Sequence, residues 1–398
     1  MSRRPNPYRP GFGMEPAYLA GRAEVLEAAA EALESAALDF VTPRPLILVG
    51  PRGLGKTVTI RRVADVALER FSWPSVHGEA VSGSPMLEPL SGRLEEMAGL
   101  LRQQPPRASR GRITGGKVAA GAMGISGEVE WARESAGQGQ HEHIAARFDA
   151  ALHDVMSAAD ERDAGLVLTI DELQNADRGE LGILGAALQR MTHQNAPLVV
   201  VVAALPGVRR LLQDRARGPK PPTYLERAEW HHLGHLPAAD ARDALERPAR
   251  EAGRPLTSGA TDVLAELAGG YPFALQVAGK YAWRAAGDAA SVTAAHAHQA
   301  ESRIRRDLET SLFQSRWDGA APEERRYLST LAALDDSAAR NADVAKRLGK
   351  RPNQTSYLQE RLVHKGTLYP DESSGGLRFV TPGMGAWLRD NYPEGTQG

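Results

Sequence analysis

The sequence predicts an α/β fold: a parallel sheet flanked by helices, followed by an all-α lid and a C-terminal winged helix-turn-helix. Three observations carry that prediction. Apolar runs at 46–49, 165–170 and 197–205 alternate with helical stretches, as strands buried on both faces of a parallel sheet do. From Pro237 onward the strand pattern stops and amphipathic helices follow one another. The closing stretch, 319–398, returns to short helices and a hairpin pattern.

Residues 1–17, rich in Pro, Arg and Gly, read as a tail or a strap over the first domain. Residues 23–39 have the spacing of an amphipathic helix, and Thr42-Pro43-Arg44-Pro45 breaks the chain before the first strand. A helix over 56–69, a second strand over 75–81 and a helix over 88–103 follow. Residues 111–131 alternate small and apolar side chains around Gly115-Gly116, Gly121 and Gly124. They read as a Gly-rich β-hairpin inserted into the domain, with a disordered linker as the alternative. A helix over 143–159 and another over 179–193 frame the strand at 165–170. These elements make 18–236 one domain. Helices over 238–253, 258–268, 272–286 and 294–313 form a lid, 237–318. In 319–398, helices over 322–334, 342–348 and 353–365, broken at Gly349 and Pro352, precede wing strands at 368–370 and 377–381.

Composition narrows the function classes. A chain of 398 residues holds several domains, each able to bury its own core. With a net charge of −1 and 24% charged residues, no global field recruits nucleic acid, so such a contact needs a local patch. The absence of cysteine excludes disulfides, thiol catalysis and Cys-based zinc sites, and is compatible with the cytoplasm. The apolar stretch 198–205 is far shorter than the roughly 20 residues of a membrane span. The N-terminus has basic residues without an apolar signal region. A cytoplasmic protein with no membrane partner is expected.

The chemistry starts at Gly50-Pro51-Arg52-Gly53-Leu54-Gly55-Lys56-Thr57, followed by Val58. This is G-x-x-x-x-G-K-[ST] between a buried strand and a helix, the context in which the pattern cradles phosphates. Backbone N–H groups and a helix N-terminus face the anion. Lys56 is expected on the β/γ-phosphates and Thr57 on Mg2+. The strand at 165–170 ends in Asp171-Glu172. There Asp171 is expected to hold Mg2+ and Glu172 to activate the water that attacks the γ-phosphate of ATP.

Further candidates surround these two motifs. The strand at 198–204 ends in Ala203-Ala204-Leu205 with no polar side chain to sense the γ-phosphate. Gln174 or Asn175 is the candidate to position water instead. Arg227 is a candidate to neutralise transition-state charge from its own or a neighbouring subunit, with Arg209 and Arg210 as rivals. Gly270-Tyr271-Pro272 opens a lid helix, and Pro272 suits packing over the adenine and β-phosphate. His231-His232-Leu233-Gly234-His235 lacks the glutamate of a zinc protease pattern and sits where a strand passes into the lid.

In the C-terminal region Lys346, Arg347, Lys350, Arg351, Arg361 and Lys365 stand against one local acid, Glu360. With Asn353, Gln354 and Tyr357 near the start of a helix, Lys350, Arg351 and Arg361 form a candidate surface for double-stranded DNA. Winged helices also bind proteins, so a protein partner stays open.

Together these motifs resemble a bacterial AAA-family ATP-binding protein related to origin-recognition-like initiator ATPases, and also resemble STAND signalling ATPases. The resemblance spans nearly the whole chain. It implies that Leu19-Ala20-Gly21-Arg22 lies beside the adenine, with Gly21 and Arg22 binding the nucleotide. The Gly-Tyr-Pro lid motif is similar to that of STAND proteins, where initiators carry a sensing arginine. The expected activity is slow ATP hydrolysis to ADP by a switch that couples nucleotide state to DNA through the winged helix. The alternative is a STAND-like signalling or defence ATPase with a protein partner or homo-oligomer.

Overall fold

A computed structural model describes residues 4–11, 13–103, 140–213, 223–334, 339–371 and 375–394. The hairpin expected near 111–131 lies outside the described residues. The chain divides into two compact units. One comprises Glu24–Val49 and Thr59–His232, the other Met1–Ala23, Gly50–Val58 and Leu233–Gly398.

The first unit is built on five parallel strands: β1 (Leu46–Val49), β2 (Ser75–Glu79), β3 (Leu166–Asp171), β4 (Leu198–Ala204) and β5 (Glu229–His232). Their spatial order is β2-β3-β4-β1-β5. Every residue of β1, β3 and β4 is buried, which is why β1 and β4 read as unbroken apolar runs and β3 as one interrupted only by Thr169 and ending in Asp171. β5 is polar in sequence, Glu-Trp-His-His, and only its pairing with β1 makes it a strand. Register sets Val49 opposite Ala204 and Ile170 opposite Val202. Asp171 therefore stands at the carboxyl edge of the sheet, where open α/β sheets bind ligands.

Helices cover this sheet: α1 (Ala23–Glu34), α2 (Lys56–Phe71), α3 (Leu87–Gln103), α4 (Gln140–Asp160) and α5 (Arg178–His193), then short α6 (Val208–Gln213) and α7 (Thr223–Glu226). Leu90, Leu94 and Ala98 of α3 join Phe148, Leu152 and Val155 of α4 in the apolar core. Buried Glu180 of α5 caps the start of α3, accepting hydrogen bonds from Met86 and Leu87 N–H at 2.8–3.0 Å. A carboxylate at a helix N-terminus satisfies orphan donors and complements the dipole.

In the second unit, α8 (Ala238–Glu251), α9 (Ser258–Ala268), α10 (Pro272–Ala285) and α11 (Ala294–Leu308) make up the helical region expected as a lid. After a π-turn and short α12 (Gln314–Asp318) come α13 (Pro322–Leu334), α14 (Asn341–Arg347) and α15 (Ser356–His364). An antiparallel hairpin, β6 (Leu368–Pro370) with β7 (Leu377–Phe379), precedes α16 (Met384–Asn391). One apolar core runs through all of them, from Leu245, Leu264 and Leu275 to Tyr327, Leu358 and Leu388.

The N-terminal strap lies on the lid, where the buried ring of Tyr8 finds a slot. Asn6 Nδ2 donates to Lys280 O at 3.1 Å, the Tyr8 hydroxyl donates to Leu245 O, and the Tyr8 ring meets Trp283 edge-on.

Candidate nucleotide-binding site

The loop Gly50–Val58 packs within the unit that holds the lid and C-terminal helices. Lys56 is buried, and its ammonium donates to Gly50 O at 2.8 Å and Pro51 O at 2.9 Å. Those carbonyls hold the lysine at the mouth of its own loop, where a phosphate oxygen offers a stronger, charged acceptor. Gly53 has φ +79°, a conformation that favours glycine, and a Cβ there would fall on the Tyr271 hydroxyl.

Arg22 reaches the same loop from upstream in the chain, while Gly21 packs against Leu236 and Asp240. Buried Arg22 donates through Nη2 to Leu54 O at 2.8 Å and through Nη1 to Gly21 O at 2.8 Å. Burial lowers the pKa of its guanidinium from the ordinary value, and Asp240 opposes that in part. Its contacts are to backbone carbonyls, so it shapes the loop.

Pro272 occupies the first turn of α10, where a missing N–H leaves nothing unsatisfied. The contact to the loop is made one residue earlier. Tyr271 is fully buried, and its hydroxyl donates to Arg52 O at 3.0 Å. Arg316 of α12 donates to the Tyr271 oxygen at 3.3 Å and to Thr381 Oγ1. Burial lowers the Arg316 pKa, Tyr271 opposes that, and the charge of Arg52 adds to it. Nothing local in the sequence marks Arg316 or Thr381, and Tyr271 is legible only as the middle of the Gly-Tyr-Pro motif.

Asp171 and Glu172 lie in the sheet unit. Asp171 is buried, and its Oδ1 accepts the Glu172 N–H at 2.8 Å. Glu172 adopts φ +54°, ψ +35°, a left-handed conformation that is uncommon for glutamate and concentrates at functional positions. Gln174, expected to position water, has both ends of its amide engaged. Its Nε2 donates to Glu172 Oε2 at 2.5 Å and its Oε1 accepts the Leu205 N–H at 2.8 Å. It thus orients Glu172 and ties it to the end of β4. Asn175 donates to Ala80 O at 3.1 Å, closing the end of β2. Arg227 is exposed, without an ion pair among the described residues. Its rival Arg209 stacks on Trp230, 4.7 Å from the ring centroid.

The C-terminal basic cluster is less bare than its sequence implies. Arg351, Asn353, Gln354, Tyr357 and Arg361 are exposed. Tyr357 and Arg361 share one face of α15 by their i, i+4 spacing, whereas Asn353 and Gln354 lie in a 3-10 turn before it, so the helix expected over 353–365 starts only at Ser356. Yet Lys350 pairs with Glu323 at 2.8 Å, Arg347 with Glu394 at 2.6 Å, and Arg361 and Lys365 with Glu324 at 3.0 and 2.6 Å. Glu360 is the one acid within 346–365, but acids from outside the stretch pair with much of the cluster. The acids come from α13 and from the residues after α16, and only folding brings them near. Burial raises the carboxyl pKa of Glu324, but Lys365, the Ala321 N–H and Arg361 outweigh it and hold it below the usual range. Gln354 Oε1 accepts the Arg351 N–H at 2.9 Å, a capping bond.

Residues 18–201 match the AAA ATPase domain. This segment is an AAA ATPase domain. Residues 310–388 match a domain of unknown function, DUF8462. No curated protein matches the chain by sequence. Among solved structures, the Walker-type ATPase of Pyrococcus abyssi superposes with a TM-score of 0.58 at 16% identity, covering 96% of this chain and 98% of that one. The AAA ATPase domain here thus shares its fold with that protein. The Orc1 protein of Aeropyrum pernix in complex with DNA gives 0.45 at 16% identity, with 94% of each chain covered. The RuvB Holliday junction branch migration motor of Thermotoga maritima gives 0.47 at 15%, covering 93% of this chain and 95% of that one. Among the described residues no helix is long and apolar enough to cross a membrane.

Proposed function

We propose that this protein is a cytoplasmic ATP switch: it binds ATP with Mg2+, hydrolyses it slowly to ADP, and thereby controls a C-terminal winged helix that engages double-stranded DNA. The observation that carries the reading is the phosphate loop itself. Lys56 is held beside its own loop carbonyls, within the same compact unit as the lid and C-terminal helices.

In this reading the loop N–H groups and Lys56 take the phosphates, and Thr57 and Asp171 supply the oxygen ligands that suit Mg2+. The metal would neutralise charge on the transferring phosphoryl group. Glu172 accepts a proton from the attacking water, and Gln174 holds its carboxylate in place. Arg227 is the candidate guanidinium for transition-state charge, in the same or a neighbouring subunit. Slow turnover follows from two features: β4 ends in Ala203-Ala204 without a sensing side chain, and Glu172 is tethered to Gln174. Single-turnover hydrolysis should run well below the roughly 10 s−1 of a median enzyme.

DNA contact rests on the exposed side chains of Arg351, Asn353, Tyr357 and Arg361 at and around the start of α15. Fluorescence anisotropy of a labelled duplex, in low salt with ATP and Mg2+, with ADP, or with neither, tests it. Binding that weakens with salt and depends on nucleotide supports the reading; none at low salt ends it. A protein-binding C-terminal domain is the second reading, favoured by the ion pairs that occupy Lys350, Arg361 and Lys365. It predicts ATP-driven assembly, visible by light scattering and insensitive to DNA.

A further inference from the structure

The phosphate loop is joined to the C-terminal hairpin by polar contacts between residues far apart in the chain. The Tyr271 hydroxyl donates to Arg52 O, Arg316 donates to Tyr271 Oη, and the same guanidinium donates to Thr381 Oγ1, two residues past β7. Tyr271 and Thr381 are fully buried. His235 flanks the chain, with its Nε2 2.7 Å from Val380 O and its ring edge-on to Tyr271. A second approach runs alongside: Gly366, between α15 and β6, has φ +70°, and a Cβ there would lie 3.2 Å from the Arg52 N. Arg52 is thus faced by the lid and by the C-terminal region at once.

We infer that Tyr271 is a positioning residue that couples the phosphate loop to the C-terminal hairpin, through Arg316 and Thr381. Its hydroxyl bonds a carbonyl of the loop, whereas a phosphate is bound by N–H groups. Anchoring and anion binding are therefore satisfied together, and a loop already ordered loses less entropy when nucleotide arrives. A shift of the Arg52 carbonyl on binding is passed to Arg316 because a guanidinium is planar and offers its donors in a fixed fork. Thr381 receives it through the other arm of that fork. The nucleotide half of this inference rests on the ATP reading above, while the mechanical half does not.

The test uses the full-length protein and hydrogen exchange with and without ADP and Mg2+, alongside titration with a fluorescent ADP analogue. Tyr271→Phe keeps the ring and removes the hydroxyl. In the nucleotide-free protein it should speed amide exchange in both 51–55 and 377–388, roughly two- to tenfold, as expected for one lost neutral hydrogen bond. It should weaken ADP binding by a similar factor and abolish the ADP-induced change at 377–388. Thr381→Val cuts the chain at its far end, and should abolish that change while leaving ADP affinity as in the parent. Unchanged exchange at 377–388 in nucleotide-free Tyr271→Phe overturns the mechanical half. An ADP-induced change that survives in both variants, or is absent from a parent that binds ADP, overturns the coupling. A parent that binds neither ADP nor ATP overturns the ATP reading and the nucleotide half with it, and leaves the nucleotide-free result to decide the rest.

Discussion

The two units place their chemically important residues by opposite means. In the sheet unit, Asp171 and Glu172 follow directly from a strand, and local sequence puts them at its carboxyl edge. In the other unit, Arg22, Arg52, Tyr271, Arg316 and Thr381 come from five separate stretches and meet only through folding. The first arrangement is a motif. The second is an assembly, in which every partner must be in place for one contact to matter. Losing a motif residue should remove one chemical step, whereas losing an assembly residue should loosen several contacts by a little.

The sharpest break is Glu172→Gln. It should retain ATP binding and lower the hydrolysis rate constant on the order of a hundred- to ten-thousandfold, as removal of a general base does. Parent-like turnover in a single-turnover assay would take Glu172 out of that role. Next comes Lys56→Ala in the loop, which should weaken nucleotide binding by about a hundredfold, the loss expected of a buried charged contact. Calorimetric titration with ATP and Mg2+ reads it directly.

A smaller effect should appear with pH in the assembled unit. Burial lowers the pKa of His235, its hydrogen bond to Val380 opposes that, and the charges of Arg316 and Arg378 add to it. The folded state therefore favours neutral imidazole. That stability is fully present above the ordinary value of 6.5, and is lost as pH falls through it toward the lowered folded value. Urea unfolding should show lower stability at pH 5.5 than at pH 8, and His235→Asn should lessen the difference. The smallest effect belongs to Glu323, whose exposed carboxylate pairs with Lys350. Glu323→Gln should change stability by less than about 1 kcal/mol. If the DNA reading holds, it should steepen the salt dependence of duplex binding by about one unit of slope.

Much of the sheet unit was legible because a parallel strand buried on both faces is apolar along most of its length: 46–49 and 198–204 are apolar throughout, and 166–171 is apolar but for Thr169 and the terminal Asp171. β5 escaped that rule: an edge strand with polar residues carries no such pattern, and pairing alone creates it. The acidic partners of the basic cluster were invisible for a related reason. Glu323 and Glu324 lie on α13, a helix whose distance from Lys350 and Lys365 is short in space and long in sequence.

By itself the sequence determined the order of the buried strands and the longer helices, the phosphate loop and the acidic strand end, because each depends on residues close to one another in the chain. The tertiary structure alone decided that Tyr271, more than Pro272, meets the loop, that Gln174 orients Glu172, and that the basic helix is partly neutralised. Local periodicity records which face of an element is buried. It holds no record of which distant polar group lies opposite, and hydrogen bonds and ion pairs are settled by that opposition.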